Sequence, residues 1–240
     1  MNTIKFSDKG NILMIAHRGV SGLERENTCP AFVAAGVKDY YGIETDIHIT
    51  CDGKIIVYHD DKLTRLLGID RVIEECEFDY LRSLTLPDKD DTVLRKDLFL
   101  PTLEEYLSIC KKYEKRAILE LKNPMKREYV EKAVNVVKDM GMFDNTTFIS
   151  FFGENLVTLK EIDASADAQF LSDKANDEVA DFILKNGLGA DIYYKSLTKE
   201  FVDLMHANGR MVNCWTVDSA EDASMLKELG VDQITSNILE

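Results

Sequence analysis

Residues 190–235 read ADIYYKSLTKEFVDLMHANGRMVNCWTVDSAEDASMLKELGVDQIT, and this stretch decides the fold. Short apolar runs with the character of buried strands lie at 190–193, 211–217 and 233–235. The segments 198–207 and 220–229 between them have the pattern of helices. Gly209 and Gly230 follow these helices at the position where a glycine commonly ends one. The stretch therefore predicts strands and helices in strict alternation.

The same alternation continues through the rest of the chain. We predict eight strands, at 12–16, 42–49, 117–121, 147–151, 168–171, 190–193, 211–217 and 233–235. Eight strand–helix repeats in about 250 residues are typical of a (β/α)8 TIM barrel, an α/β fold. A doubly wound open sheet is the alternative, but the first turn, residues 17–22, lacks the glycine spacing of a dinucleotide-binding turn. The barrel is therefore the predicted fold.

One segment departs from the alternation. Residues 51–100 are too long for a strand–helix loop, and they contain a strand-like run at 54–58 and a helical stretch near 78–84. We predict a single catalytic domain over 1–240, with this segment inserted after strand two at the face where barrel enzymes hold their active sites. Because so few residues follow the eighth strand, we expect the last helix to be absent or vestigial.

Composition restricts the class of protein. The 240 residues include 43 acidic and 29 basic side chains, a net charge of −14 that disfavours binding to nucleic acid or to an anionic membrane. Five cysteines, without a C-x-x-C pair, predict free thiols in a reducing compartment. The first apolar run is too short for a signal peptide or a membrane span, so we expect a soluble, cytoplasmic protein without stable membrane insertion.

Polar side chains stand where the predicted strands end, which is where a barrel places its catalytic groups. In chain order they are His17, Arg18, Glu44, Asp46, Glu120, Lys122 and Trp215. Glu44 and Asp46 lie two residues apart on one strand and therefore point to the same side. These carboxylates give the cluster its chemical character.

The carboxylates Glu44, Asp46 and Glu120 exceed what Lys122 could neutralise, and buried carboxylates are costly unless they are paired or bind a metal. A set of oxygen ligands suits Mg²⁺ or Ca²⁺ better than Zn²⁺. The alternative is a salt-bridge network with Arg18 and Lys122. The spacing alone leaves both interpretations open.

The chain has only four histidines. His17 ends strand one and His59 follows the strand-like run of the insertion, so both could lie near the carboxylates. Imidazole titrates near neutral pH, which favours a general acid–base pair over two structural residues. His48 is a secondary candidate, and His206, within a helix, is predicted to be structural.

A series of short motifs in the same order resembles the glycerophosphodiester phosphodiesterase family over nearly the whole chain. The motifs are Ala16-His17-Arg18-Gly19, Glu26-Asn27-Thr28, Glu44-x-Asp46, Thr50-x-Asp52-Gly53, Val57-x-His59-Asp60, Pro101-Thr102-Leu103-Glu104-Glu105, Leu119-Glu120-Leu121-Lys122, Ser150-Phe151 and Trp215-Thr216-Val217. Each motif is weak alone, and their combination in order is specific. The resemblance implies a barrel with a small insertion after strand two.

The resemblance also implies the roles of the site residues. Glu44, Asp46 and Glu120 would hold a divalent metal, Mg²⁺ or Ca²⁺, with Mn²⁺ as a further candidate. His17 and His59 would form the catalytic pair, and the substrate-binding residues would be Arg18, Asn27, Lys122 and Trp215. The expected reaction is hydrolysis of glycerophosphodiesters, such as glycerophosphocholine or glycerophosphoethanolamine, to glycerol 3-phosphate and an alcohol.

For the mechanism, the resemblance favours the glycerol 2-hydroxyl over water as the first nucleophile, through a cyclic phosphate. We assign His17 as the base and His59 as the leaving-group acid. One departure stands after strand eight, where the family commonly has Thr-Asp followed closely by Pro and this chain has Thr235-Ser236-Asn237-Ile238. We expect that departure to affect the last loop rather than the core reaction.

Two other classes of function remain as alternatives. A non-catalytic phosphodiester-binding protein could keep the fold, although such a protein would be expected to have lost one of the site residues. A related phospholipase acting on lipids would need an apolar docking surface. The insertion is instead polar, with Asp88-Lys89-Asp90-Asp91 at its predicted tip, and this favours a small soluble substrate.

Overall fold

Eight parallel strands in the described part of the chain close into a barrel, because the first strand pairs with both the second and the last. The computed structural model describes residues 2–89 and 95–240. The barrel strands are β1 (Leu13–Ala16), β2 (Gly42–Ile49), β4 (Arg116–Leu121), β5 (Thr146–Ser150), β6 (Asp167–Ser172), β7 (Gly189–Tyr193), β8 (Val212–Trp215) and β9 (Gln233–Ser236). The predicted (β/α)8 TIM barrel is confirmed, with strand ends that shift by a few residues.

Helices connect these strands on the outside of the barrel or lie in the insertion. They are α1 (Cys29–Gly36), α2 (Thr64–Leu67), α3 (Phe78–Ser83), α4 (Leu103–Lys112), α5 (Arg127–Asp139), α6 (Gly153–Ile162), α7 (Asp177–Asn186), α8 (Lys199–Ala207) and α9 (Ala220–Leu229). Short 3₁₀ helices lie at Ile73–Glu75, Phe143–Asn145 and Tyr194–Ser196.

Local sequence signals explain why these helices form where they do. In α5 the buried side chains Val130, Ala133, Val134 and Val137 recur at helical spacing and face the barrel. The helix α4 begins with a reciprocal capping box between Thr102 and the third helical residue, a glutamate. These signals place the helices against the barrel and leave the strand ends free for the site.

The main core lies between the barrel and its helices. Inside the barrel, a small apolar cluster of Ile15, Ile118, Ile149 and Leu171 packs beneath Trp215. At the N-terminal ends of the strands, Arg116 Nε donates to Thr147 Oγ1 at 2.7 Å. The polar mouth at the opposite, C-terminal end therefore rests on an apolar floor.

The insertion after β2 folds back onto the barrel. Its strand β3 (Ile55–Val57) pairs antiparallel with β2, where the sequence predicts a strand, and α3 lies where it predicts a helical stretch. A second apolar cluster supports this segment, formed by Ile56, Tyr58, Leu63, Ile73, Cys76, Leu81, Leu86, Leu98 and Leu100. The predicted acidic tip is described only in part, because Asp90 and Asp91 lie outside the described residues.

The chain after β9 takes the place of a last helix. No helix follows β9 within the described residues, as predicted. Ile4 N instead donates to Ile238 O at 3.0 Å and Phe6 N donates to Glu240 O at 2.9 Å, while Leu239 is fully buried. The five cysteines, all in the described part of the chain, are free thiols. Within residues 2–89 and 95–240, no helix has the length and apolar character needed to cross a bilayer.

Candidate active site

The barrel mouth holds a cavity that several predicted residues share. It is lined by His17, Arg18, Glu44, His59, Glu120, Ile149, Phe151, Leu171, Asp191, Trp215, Thr216 and Thr235. The pairing of β2 with β4 sets Asp46 directly beside Glu120, and Glu44 lies one inward-facing position earlier on β2. Parallel strands thus bring carboxylates from distant parts of the sequence to one place.

Glu44, Asp46 and Glu120 form a buried carboxylate cluster, which we call the acidic cluster. One carboxylate oxygen from each lies within 4.8 Å of the other two, and their exposed fractions are 4%, 1% and 7%. Asp46 Oδ1 is buried without a hydrogen-bond partner. Burial, and then the charge of Asp46, raises the pKa of Glu44 and raises that of Glu120 to about 8. Such a set of crowded oxygen donors fits a divalent cation.

Two basic side chains flank the acidic cluster. Lys122 Nζ lies 2.9 Å from Glu120 Oε1 and 3.6 Å from Asp46 Oδ1. Arg18 Nε lies 3.7 Å from Asp46 Oδ2 and has no hydrogen-bond partner of its own. Although burial alone would lower it, the pKa of Lys122 is raised by Asp46 and Glu120. The cluster is therefore only partly neutralised, and both the metal and the salt-bridge interpretations have contacts in its favour.

The loop after β1 aims its backbone at the cluster. Arg18 adopts a left-handed conformation with φ of 54°, and its backbone N–H donates to Glu44 Oε2 at 2.8 Å. Gly19 follows with φ of 76°, and a Cβ at this position would lie 2.6 Å from the carbonyl carbon of Ala31. Only glycine fits this turn. The His-Arg-Gly motif is therefore a backbone device as well as a set of side chains.

Asn27 fixes one member of the acidic cluster. Its side chain is buried, with φ of 54°, and Nδ2 donates to Asp46 Oδ2 at 2.7 Å. Its Oδ1 accepts from Thr45 Oγ1 at 2.7 Å, which sets the orientation of the amide. Asn27 was predicted to bind substrate, and the structure places it against Asp46, which is one of the cluster carboxylates.

His17 faces the acidic cluster from the end of β1. Its Nε2 lies 4.0 Å from Glu44 Oε2, and its Nδ1 lies 2.7 Å from Asn237 Oδ1. Burial, and then the charge of Arg18, lowers the pKa of His17 to about 4. The imidazole is therefore neutral near pH 7 and can accept a proton.

His59 lines the other side of the cavity, held by the insertion. Its Nδ1 lies 2.6 Å from Asp60 Oδ1, and Asp60 is fixed in turn by Arg65 Nε at 2.6 Å. Burial lowers the pKa of His59. The fully buried His48, the secondary candidate, lies with Nε2 at 3.3 Å from His59 O and Nδ1 at 3.0 Å from Glu74 Oε1. His48 thus supports the backbone that carries His59.

Trp215 forms the aromatic wall of the cavity. Its ring packs edge-on against Phe151 with centroids 5.5 Å apart and against Tyr193 at 5.6 Å. Its Nε1 donates to Asp191 O at 3.2 Å, which fixes the ring. His206, by contrast, lies on α8 beside Asp232, with 3.0 Å between Nε2 and Oδ2, and does not line this cavity.

Sequence reasoning missed Asp191 at the floor of the cavity. This side chain is 2% exposed, and its Oδ1 is buried without a hydrogen-bond partner. Burial raises the pKa of Asp191 to about 7. The available signal was an acidic residue inside an apolar strand, at the same parity as Tyr193 on β7.

We expect Asp191→Asn to change the pH dependence of stability. In the folded protein Asp191 keeps its proton up to about pH 7, whereas an unfolded aspartate loses it near its ordinary pKa of about 4. The wild-type protein should therefore lose unfolding free energy from this group as pH rises through that window, by up to roughly 4 kcal/mol. Urea unfolding between pH 5 and 8 should show the variant gaining stability relative to wild type. Parallel pH curves would contradict this, and the exposed Asp173→Asn serves as the control.

Comparisons with known proteins decide the family. A sequence profile of the glycerophosphoryl diester phosphodiesterase family matches residues 17–239. The chain belongs to this family. The resemblance and the enzyme class predicted from the sequence are thereby confirmed.

Named relatives and solved structures cover most of the chain. A Bacillus altitudinis glycerophosphodiester phosphodiesterase is 28% identical over 232 residues, 92% of each chain. The structure of an Oleispira antarctica phosphodiesterase in complex with the product sn-glycerol-3-phosphate is 25% identical, with a TM-score of 0.87 over 94% of this chain and 92% of that one. A Parabacteroides distasonis glycerophosphodiester phosphodiesterase is 28% identical, with a TM-score of 0.81 over 95% and 93%. Family and relatives together support hydrolysis of glycerophosphodiesters to glycerol 3-phosphate.

Proposed function

We propose that this chain hydrolyses small glycerophosphodiesters to glycerol 3-phosphate and an alcohol, dependent on a divalent metal and with His17 and His59 as the acid–base pair. The observation that carries this proposal is the shared cavity, in which two histidines with lowered pKa values face the acidic cluster. Glycerophosphocholine and glycerophosphoethanolamine are the candidate substrates. The product bound in the Oleispira antarctica phosphodiesterase is the one this reaction would release.

Glu44, Asp46 and Glu120 would hold the metal. The unpartnered Asp46 Oδ1 and the raised pKa values of its two neighbours fit a cation in their midst. A hard ion of the Mg²⁺ or Ca²⁺ type, or Mn²⁺, would withdraw charge from the phosphate oxygens. That local cation reconciles a phosphodiester substrate with a protein of net charge −14.

Arg18 and Lys122 would bind the phosphate from the two sides of the cluster. Arg18 Nε is buried and has no hydrogen-bond partner, so a phosphate oxygen can accept from it without breaking another bond. Lys122 is anchored to Glu120 and contributes positive charge to the same region. Trp215 would cover an apolar face of the glycerol or of the leaving group.

The proton transfers follow from the two histidines. His17 would accept the proton of the glycerol 2-hydroxyl as its oxygen attacks phosphorus, and His59 would donate a proton to the alcohol oxygen as the phosphorus–oxygen bond breaks. Water then opens the cyclic phosphate with the two roles reversed. His59 has a lowered pKa in the free protein, and the bound anionic substrate would favour its protonated form.

The alternatives are less well supported. A non-catalytic protein is disfavoured because His17, Glu44, Asp46, His59 and Glu120 are all present. For a lipid substrate, the part of the insertion near the cavity mouth would need to be apolar. Instead, Lys89 Nζ donates to Ser21 O at 2.5 Å, and Arg25 Nε donates to Pro87 O at 2.7 Å. We therefore favour a deacylated substrate in the cytoplasm.

A release assay tests the proposal directly. Glycerol 3-phosphate should be produced from glycerophosphodiesters, lost with a chelator, and restored by adding Mg²⁺, Ca²⁺ or Mn²⁺. His206→Ala, which removes a histidine outside the cavity, should keep wild-type activity. No release from any headgroup with any of these metals would overturn the proposed function.

A further inference from the structure

Asn237, in the segment after β9, is held at both ends of its side chain. Its Oδ1 lies 2.7 Å from His17 Nδ1 and accepts from Ser21 Oγ at 2.6 Å. Its Nδ2 donates to Asp218 Oδ2 at 2.6 Å, and its backbone N donates to Asp218 Oδ1 at 2.8 Å. One carboxylate thus fixes both the backbone and the amide of Asn237.

These contacts determine which way the amide points. A carboxylate only accepts hydrogen bonds, so the amide group facing Asp218 must be the NH₂. A flipped amide would set its oxygen against the Asp218 carboxylate at 2.6 Å and its NH₂ against His17. The amide oxygen therefore faces His17, and because that oxygen only accepts, His17 Nδ1 must carry the hydrogen.

We propose that Asn237, locked by Asp218, is a positioning residue that holds His17 in the Nδ1–H tautomer, with the lone pair of Nε2 facing the acidic cluster. The assignment of the tautomer rests on the hydrogen bonds alone, and its consequence for catalysis rests on the proposed function. In the opposite tautomer Nε2 would carry a hydrogen and could not accept the proton of the glycerol hydroxyl. Asn237 thus acts through His17 and does not itself contact the reacting atoms.

The departure from the family pattern at Ser236 has a place in this arrangement. Ser236 Oγ donates to Asp218 Oδ1 at 3.0 Å. The carboxylate at this end of the barrel therefore comes from the loop after β8, two residues beyond Thr216, and not from position 236. Asp218 was not among the sequence candidates, except as a residue before a helix.

Side-chain ¹⁵N NMR of the metal-free protein tests the tautomer without any activity. The wild-type His17 signals, assigned by their loss in His17→Ala, should show a protonated Nδ1 and an unprotonated Nε2. In Asn237→Leu we expect a mixture of tautomers. A wild-type spectrum with the hydrogen on Nε2 would overturn the proposal, even if Asn237→Leu failed to fold.

Kinetics test the positioning role. Asn237→Leu should lower kcat by roughly 10–100-fold, with KM within about twofold of wild type, because substrate contacts are kept. The double variant Asp218→Asn/Asn237→Asp exchanges the amide and the carboxylate, so an acceptor again faces His17 and a donor again holds it. It should recover most of the lost kcat, whereas Asn237→Asp alone should not, since it sets two carboxylates together.

The outcomes separate this proposal from the proposed function. An inactive wild-type protein with the predicted His17 tautomer would contradict only the function. An active protein in which Asn237→Leu leaves both the His17 signals and kcat unchanged would contradict only the role of Asn237. Asn208→Ala, an exposed asparagine on α8's C-terminal side, should change neither readout.

Discussion

Glu44→Gln is expected to lower the rate of glycerol 3-phosphate release by about 10³-fold or more, while the metal-free protein remains at least as stable as wild type. A glutamine oxygen can still accept the hydrogen bond from Arg18 N, so the loop keeps its anchor. The lost carboxylate would weaken metal binding. Since burial and Asp46 raise the pKa of Glu44, removing its charge relieves repulsion in the absence of metal.

This variant separates the two interpretations of the acidic cluster. If the carboxylates served only as partners of Arg18 and Lys122, then loss of one would lower the thermal unfolding temperature and leave activity independent of metal. If they bind a cation, Mg²⁺ or Ca²⁺ should raise the unfolding temperature of wild type but not of Glu44→Gln. A variant that retained half the wild-type rate would exclude the metal role of Glu44.

Glu26→Gln is the matched control for that experiment. Although burial opposes its charge, hydrogen bonds and charge from Arg65 and Arg18 lower the pKa of Glu26 to about 2. Its folded pKa is depressed, so its contribution to stability is present above the ordinary glutamate pKa and is lost as pH falls. Near pH 7 we expect Glu26→Gln to lower stability while the stabilisation by metal remains.

His59→Ala is expected to slow release of a poorly leaving alcohol by about 10²–10⁴-fold, the usual contribution of a general acid. With glycerophosphocholine the departing choline oxygen needs a proton, and His59 is the residue proposed to supply it. With glycerophospho-p-nitrophenol the departing phenolate is stable without one, so the loss should be less than about tenfold. Rates for both substrates with wild type and variant give the comparison.

The His17→Ala variant provides the contrast. As the proposed base, His17 acts on the glycerol hydroxyl, which both substrates share, so both rates should fall by a similar factor. Equal losses with both substrates in His59→Ala would instead indicate that His59 is structural. Such a result would leave the metal site untouched and would reassign only the leaving-group acid.

Much of the site could be predicted because it follows from strand parity. Glu44 and Asp46 share a face of β2, and Asp46 pairs with Glu120 on β4, so a barrel necessarily brings them together. The sequence could not choose between a metal and salt bridges with Lys122. That choice depends on distances of a few tenths of an ångström between side chains from different strands.

The residues that sequence reasoning missed are those whose meaning depends on their partners. Asp191 is an acid in an apolar strand, and its raised pKa follows from the absence of a cation near it at the floor of the cavity. Asn237 and Asp218 lie in two different loops, and a contact between loops has no period in the sequence. Asn27 has a motif, yet the structure places it against Asp46.

The sequence by itself determined the barrel, the insertion after β2 and the set of candidate catalytic residues, because helix and strand periods and ordered motifs are local properties of the chain. Only the tertiary structure decided how those residues are protonated and oriented. The pKa of His17 depends on burial and on Arg18, and its tautomer depends on an amide 220 residues away in the chain. Burial and hydrogen bonds between distant segments exist only once the barrel has closed, and it is they that set the chemistry of the mouth.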